Sequence, residues 1–344
     1  MSFQPIYLDH AATTPLLPAA RAALEQGFAL WANPSSPHRA GRAARAALEN
    51  ARERVKAALG WPGEVIFTSG ASEAIALAMA HSHQPLCAAS AVEHEAVLRL
   101  AGGAARWPVA ADGQVAAAPA SLAGLVAVQQ VNNETGVIQP LADVSAAVHA
   151  AGGWLLADCA QGAGKIALPR EADMIVLSAH KFGGPIGMGA LLLRDLSLLR
   201  PTGGQERGYR PGTENLPGIL AMAAALEAGA GWLAEAARLR ARLEAAITAA
   251  GGEIIASAAP RLATIGACRM PGKPAQVQLI RFDALGFAIS AGAACSSGSL
   301  RASHVLGAMA VPGANEVIRI SIGRETTEAE IDAFAAAWQE IAGR

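Results

Sequence analysis

Asp173-Met174-Ile175-Val176-Leu177-Ser178-Ala179-His180-Lys181, followed by a Gly-rich turn (Gly183, Gly184, Gly187) and then Gly189-Ala190-Leu191-Leu192-Leu193, decides the fold. Met174 to Leu177 reads as a buried strand that runs into a lysine, and a second apolar strand follows the turn. A lysine at the end of a buried strand is costly unless its charge has a partner or its amine is consumed. Two readings stand for Lys181. It is a strand-end lysine that reaches solvent, or a desolvated lysine of lowered pKa, the type that forms Schiff bases.

Outward from this stretch, strands alternate with helices. Glu64 to Thr68, Leu86 to Ala89, Leu125 to Gln129 and Trp154 to Ala157 read as strands, and Ala74 to Ala80 and Leu141 to Ala150 as helices. That alternation describes an α/β fold with a mainly parallel sheet, whose ligands gather at the carboxyl ends of the strands. Asn133, Asp158 and Lys181 all fall at such ends. Ser69-Gly70-Ala71-Ser72-Glu73 is a tight strand-to-helix turn that suits a phosphate, or is an ordinary Gly/Ser junction. His94 reads either as a histidine capping a helix start or as a flat ring offered to a planar ligand. Nearer the N-terminus, Pro18 to Leu30 reads as a helix. Ser36 and Pro37 read as the N-cap and N1 of a second helix that stops at Gly60. Pro217 to Ala250 reads as one long helix closed by Gly251-Gly252. The domain boundary is expected within it, giving a large α/β domain over 14–235 and a smaller α+β domain over 1–13 and 236–344. Ala110 to Ala120 reads as a surface loop, and the last helix starts near Thr327.

Composition excludes several classes. The 344 residues are 52% hydrophobic and 16% charged, with a net charge of −1. This is a well-buried globular chain with no basic surface for nucleic acid or anionic lipid. No apolar run approaches a membrane span, and MSFQPIYLDHAATTP carries no secretory pattern, so a cytoplasmic protein is expected. Cys87, Cys159, Cys268 and Cys295 form no C-x-x-C pair, so neither a metal site nor a disulfide framework is expected. The first three sit in apolar runs and read as small core hydrophobes; Cys295 lies among Gly and Ser. No G-x-G-x-x-G follows the first long strand, which disfavours a nicotinamide dehydrogenase.

A Schiff-base lysine, an Asp for a pyridinium nitrogen, an aromatic stacker and a phosphate cup together are the parts for pyridoxal phosphate. YLDHAATTP, NPSSPHRAGR, FTSGASEA, VNNETGVIQP, GGQERGYRPGTEN, ACSSGSLRASHVL and IRISIGRETTEAEID run nearly end to end. In these the chain closely resembles the cysteine desulfurases of the NifS/IscS type, within the class V aminotransferase-like, fold-type I enzymes. Ala179 stands where the family commonly has Gly, and Ser290 to Cys295 departs from its frequent SSGSACSSG pattern.

The resemblance implies a pyridoxal-phosphate-dependent enzyme that converts L-cysteine to L-alanine and keeps the sulfur as a persulfide. It implies that Lys181 forms the Schiff base and moves the substrate proton, that Asp158 pairs with the pyridine nitrogen, and that His94 stacks on the ring and serves as a catalytic acid/base. Gln161 and Asn133 would lie near the phenolic oxygen and substrate. Ala71, Ser72, Ser178 and His180 would hold the phosphate, and Thr213 would reach the phosphate of the other subunit of a homodimer. Arg319 with Asn33 would clamp the substrate carboxylate. Cys295 would be the nucleophile that takes the sulfur. The implied partner is a sulfur acceptor, such as an iron–sulfur scaffold or a thiolation relay. A selenocysteine lyase or other carbon–sulfur lyase, and an inactive scaffold subunit, are the alternative readings.

Overall fold

A computed structural model describes residues 5–291 and 302–343. Cys295 and its neighbours lie outside them. The chain opens with strand β1 (Ile6–Tyr7) and helices α1 (Pro18–Ala29) and α2 (Arg39–Leu59). Then come β2 (Glu64–Thr68), α3 (Ala71–His81), β3 (Leu86–Ser90), α4 (Glu95–Leu98), β4 (Ala105–Trp107), β5 (Leu125–Ala127), α5 (Leu141–Ala150) and β6 (Trp154–Asp158). β7 (Met174–Ser178) and β8 (Gly189–Leu193) follow, then α6 (Leu216–Glu227) and α7 (Leu233–Ala249). The remainder is β9 (Glu253–Ile254), β10 (Ile265–Arg269), α8 (Ala275–Ala284), β11 (Phe287–Ala288), α9 (His304–Ala308), β12 (Val317–Ser321) and α10 (Glu328–Ala342).

Seven strands form the main sheet in the order β2-β8-β7-β6-β5-β3-β4. It is parallel except for β8, which runs antiparallel to both β2 and β7. The sheet is buried on both faces, as covered parallel sheets are. Along β7, Ile175 and Leu177 point into the core beneath α1, α2 and α6, while Met174 and Val176 point into the core with α3. The expected alternation of strand and helix and the mainly parallel sheet are both present. A second core lies on the three-stranded sheet β12-β10-β9, where Phe282 stacks on Phe334 at 4.6 Å and Trp338 is fully buried. β1 pairs with β11, so the N-terminus reaches across to the C-terminal part of the chain.

Three local expectations need correction. The long helix is two helices, broken between Glu227 and Leu233, because Gly229 adopts a left-handed φ of 68° that ends the first. The expected boundary near 235 falls in the first turn of α7 rather than inside a continuous helix. The second helix is capped by His38, whose Nδ1 accepts the Gly41 amide at 3.1 Å, and not by Ser36. Cys87 is only partly buried at the start of β3, whereas Cys159 and Cys268 are buried. Gly60 does end α2, and Thr327 caps α10 through a reciprocal bond with Glu330.

The loop between β8 and α6 is tied to the sheet by a buried ion pair. Both side chains of Arg52 and Glu206 are 1% exposed, and the guanidinium meets the carboxylate through two bonds of 2.8 and 3.1 Å. Glu206 also accepts the Phe67 amide at 2.9 Å, and Arg52 donates to the Val65 carbonyl at 2.6 Å. Removing Glu206 leaves the buried Arg52 with only the half-exposed Glu49, 3.0 Å from its Nε, and takes the acceptor from the Phe67 amide. Glu206→Ala should lower unfolding stability by about 3–5 kcal/mol. Glu227→Ala, which breaks the partly exposed Arg54–Glu227 pair, should cost about 1 kcal/mol or less. Parallel denaturant titrations check both values, and equal losses would contradict this account.

Candidate active site

The cleft that collects most of the expected residues has a volume of about 600 Å3 and opens at the carboxyl ends of the parallel strands. Asp158 ends β6, Ser178 ends β7, and His180 and Lys181 follow directly. Ala71 and Ser72 form the first turn of α3, and Asn133 follows the extension of β5. All of these line the cleft, as do His94, Gln161 and Arg319. Asn33 and Thr213 do not line it. Both are exposed in the single chain.

Lys181 does not reach out to bulk solvent. Its Nζ donates to the main-chain carbonyls of Ala11 at 2.6 Å and Ala12 at 2.8 Å. Burial, and secondarily the Arg319 charge, lower its pKa to about 8, against the opposing pull of Asp9 and Asp158. The amine therefore has a much larger neutral, nucleophilic fraction near neutral pH than a free lysine. Gln161 donates through Nε2 to the same Ala11 carbonyl at 2.9 Å, which leaves its buried Oε1 without a protein partner.

Asp158 is 8% exposed, and its Oδ1 accepts the Ala160 amide at 2.9 Å. Burial pushes its carboxyl upward, offset by that amide and by His94 and Lys181. Among the described residues no lysine or arginine forms an ion pair with it, so it is available to a cationic partner entering the cleft. His94 Nδ1 accepts the Ala96 amide at 3.1 Å and caps α4, which places the proton of the neutral ring on Nε2. The protein around the ring lowers its pKa, with Lys181 adding to the effect and Asp158 opposing it. The two sequence readings of His94 are thus compatible: it caps a helix and borders the cleft.

The α3 end of the cleft presents main-chain amides at a helix start, with Glu73 of the first turn also in the lining. Gly70 precedes α3 with a φ of 153°, and a Cβ there would meet nothing within 4 Å. No side chain caps the first amides of α3. Below them Gly189 lets β8 pass close, since a Cβ would lie 2.6 Å from the Gly70 Cα. His180 contributes Nδ1, 3.2 Å from Thr13 Oγ1, and burial with the nearby lysines lowers its pKa to about 4.

Arg319 sits at the opposite end, 5% exposed. It donates to Asp9 Oδ1 at 2.7 Å and to the Asn133 carbonyl at 2.9 Å, and its buried Nε has no protein partner. The ends flanking the undescribed segment are near. Ser290 lines the cleft and exchanges backbone bonds with Arg319, while His304 Nε2 lies 2.9 Å from the Glu93 carbonyl beside His94.

Sequence reasoning assigned no role to Asp9, Ala11, Ala12 or Thr13, which hold Arg319, Lys181 and His180. The signal was present in the stretch YLDHAATTP, but two of these contacts use main-chain carbonyls, which no side-chain pattern reveals.

The aminotransferase class-V family model matches residues 6–334. The chain belongs to this family. A cysteine desulfurase of Cereibacter sphaeroides is 38% identical to it, over 95% of this chain and 93% of that one. The solved structure of a NifS-like protein from Rickettsia africae superposes with a TM-score of 0.89 at 29% identity, covering 99% of this chain and all of the other. SspA solved in complex with cysteine gives a TM-score of 0.79 at 28% identity, covering 94% of this chain and all of that one. The expected fold, that of fold-type I enzymes, stands on these matches.

The depressed Lys181 pKa has a definite sign. Above about 8 the amine is neutral, and below it becomes protonated and unreactive. In cofactor-free protein, the rate of Lys181 condensation with an aldehyde should rise with pH, reach half its maximum near 8 and level off above. A midpoint at the value of a free lysine, measured by trapping the adduct with borohydride across pH, would overturn the burial account.

Proposed function

We propose that the protein is a pyridoxal-phosphate-dependent cysteine desulfurase, taking L-cysteine to L-alanine and passing the sulfur to a thiol of its own. The observation that carries this reading is one cleft holding a buried, low-pKa amine, an unpaired buried carboxylate and an uncapped helix start. These three suit the aldehyde, the pyridine nitrogen and the phosphate of one cofactor. When bound, the cofactor supplies an electron sink for charge developing at the substrate Cα.

The chain's own residues do the rest. Lys181 supplies the amine that condenses with the aldehyde and afterwards moves protons on the substrate. Asp158 holds a proton on the ring nitrogen, because a buried carboxylate is stabilised by a cation beside it. Gln161 and Asn133 are proposed beside the ring oxygen and substrate, and His94 against the ring face. Ala71, Ser72, Ser178 and His180 are proposed around the phosphate. Arg319 is proposed to receive the substrate carboxylate, in exchange for part of its bond with Asp9. Asn33 is proposed beside it only in an assembled dimer, since it is exposed here.

Cys295 is proposed as the sulfur-accepting thiol. Among the described cysteines, Cys159 and Cys268 are buried and their thiols pushed well up, to about 12 for Cys268, which suits neither attack nor delivery. The sulfur then passes to an acceptor protein such as an iron–sulfur scaffold or a thiolation relay. We also propose the division into a large domain over 14–235 and a small one over 1–13 and 236–344. A two-fold homodimer is proposed because Phe28, Trp31 and Ile186 stand 66%, 83% and 79% exposed, and Ile186 lies at the cleft. Thr213 would then reach the partner's phosphate.

Lys181→Ala should abolish the yellow colour of the purified protein and lower alanine formation by about a thousandfold or more. Normal turnover would refute the reading. Cys295→Ser should keep the colour and its change on adding cysteine, yet form almost no persulfide. Wild-type sulfide release by that variant would transfer the role to another thiol or to solution. Sedimentation at micromolar concentration should show a dimer, and an active monomer would refute it.

A further inference from the structure

A second, smaller cavity of about 30 Å3 shares Ala11 and Lys181 with the cleft. It is lined by Lys181 itself and by Lys165, His10, Thr264 and Arg324. Lys165 belongs to the turn that follows β6, seven residues after Asp158 and four after Gln161. It is 8% exposed, and among the described residues its amine has neither a hydrogen-bond nor an ion-pair partner. Thr264 is 2% exposed with its hydroxyl unpartnered, and the buried His10 Nδ1 is unpartnered as well.

Buried polar atoms left alone, as the Thr264 hydroxyl and His10 Nδ1 are, mark an internal water. By this measure a water needs roughly 10–15 Å3, so the cavity has room for about two. Their partners would be complementary: an amine and a hydroxyl as donors, and an imidazole nitrogen as acceptor.

We propose that water in this cavity joins Lys165 to Lys181, and that Lys165 is a positioning residue which stores and returns the proton that Lys181 handles. The inference rests on the reading of Lys181 as the reactive amine. In the step, the Lys181 ammonium gives one proton to the water while the water gives another to the neutral Lys165 amine. Only N–H and O–H bonds change, and no electrons are transferred. The reverse step restores Lys181.

The electrostatics suit such an exchange. Burial, followed by the Lys181 charge, lowers the Lys165 pKa to about 7, next to the value of about 8 for Lys181. Two amines this close in basicity share a proton with little loss of free energy. The other groups facing the cavity do not compete. Burial holds His10 neutral, with a pKa of about 4. Arg324 is directed to the Ala228 and Gly229 carbonyls over the Trp232 ring. His180, which lines the cleft and not this cavity, is lowered to about 4 by burial and both lysines.

The chain has four lysines, so Cε-labelled lysine gives an NMR titration in which each signal is assigned by single substitution. In cofactor-free protein Lys165 should titrate near neutral pH. In Lys181→Met its midpoint should rise, and in Lys165→Arg the Lys181 midpoint should fall, each by about half a pH unit or more. In holoenzyme, Lys165→Arg carries a fixed charge and yields no proton, so its turnover should fall as far as that of Lys165→Met. Independent titration of the two lysines, or full turnover with an unchanged pH profile in Lys165→Arg, would overturn the proposal. If Lys165→Met does not fold, the two other variants still decide. The titrations need neither cofactor nor substrate, so their failure is distinct from failure of the desulfurase reading.

Discussion

The contact on which the site depends is the pair of main-chain carbonyls, Ala11 and Ala12, that receive the Lys181 amine. A lysine at the end of a fully buried strand has to be neutral, paired or bonded. Here carbonyls bind the amine without supplying a counter-charge, so it is oriented yet remains easy to deprotonate. A carboxylate in the same place would orient it as well but would hold the proton. The N-terminal segment thus selects chemistry through the absence of charge in its acceptors. The same Ala11 carbonyl also takes the Gln161 amide, so one backbone oxygen sets two side chains of the cleft.

Arg319 is the second organising group. Its guanidinium joins Asp9 of the N-terminal segment, the Asn133 carbonyl beyond β5 and, through its own strand, Ser290. Three separate parts of the sequence therefore meet at one cation. The Asp9 carboxylate keeps this buried cation paired, and a buried guanidinium left without a partner would be costly.

Much of this was legible because parallel sheets place function at strand ends. Asp158 and Lys181 stood out as polar residues closing apolar runs, and the Ser69 to Glu73 turn stood out as an abrupt change from strand to helix. What escaped notice lacked a side-chain signature. The carbonyls of Ala11 and Ala12 look like any others in a sequence. His38 took the cap that Ser36 and Pro37 were read to provide, since an imidazole nitrogen can accept an amide as a hydroxyl does. The break at Gly229 was hidden by alanines on either side, which favour helix wherever packing permits it. Lys165 was passed over because a lone lysine in a Gly/Ala turn reads as surface, and only the tertiary structure encloses it.

The bond between Arg319 and Asp9 spans 310 residues. A ribosome adding about 5–20 residues each second takes roughly 15–60 s to cover that interval. The strands of the main sheet are all made once Leu193 is added, so over the last part of that time the sheet and its lysine exist while β12 does not. Asp9 has no arginine to hold it, and the N-terminal segment has no β11 to pair with. The nascent chain can complete its large core and still have an open, unfinished cleft, so loading of any small molecule there belongs to the last moments of synthesis or after release.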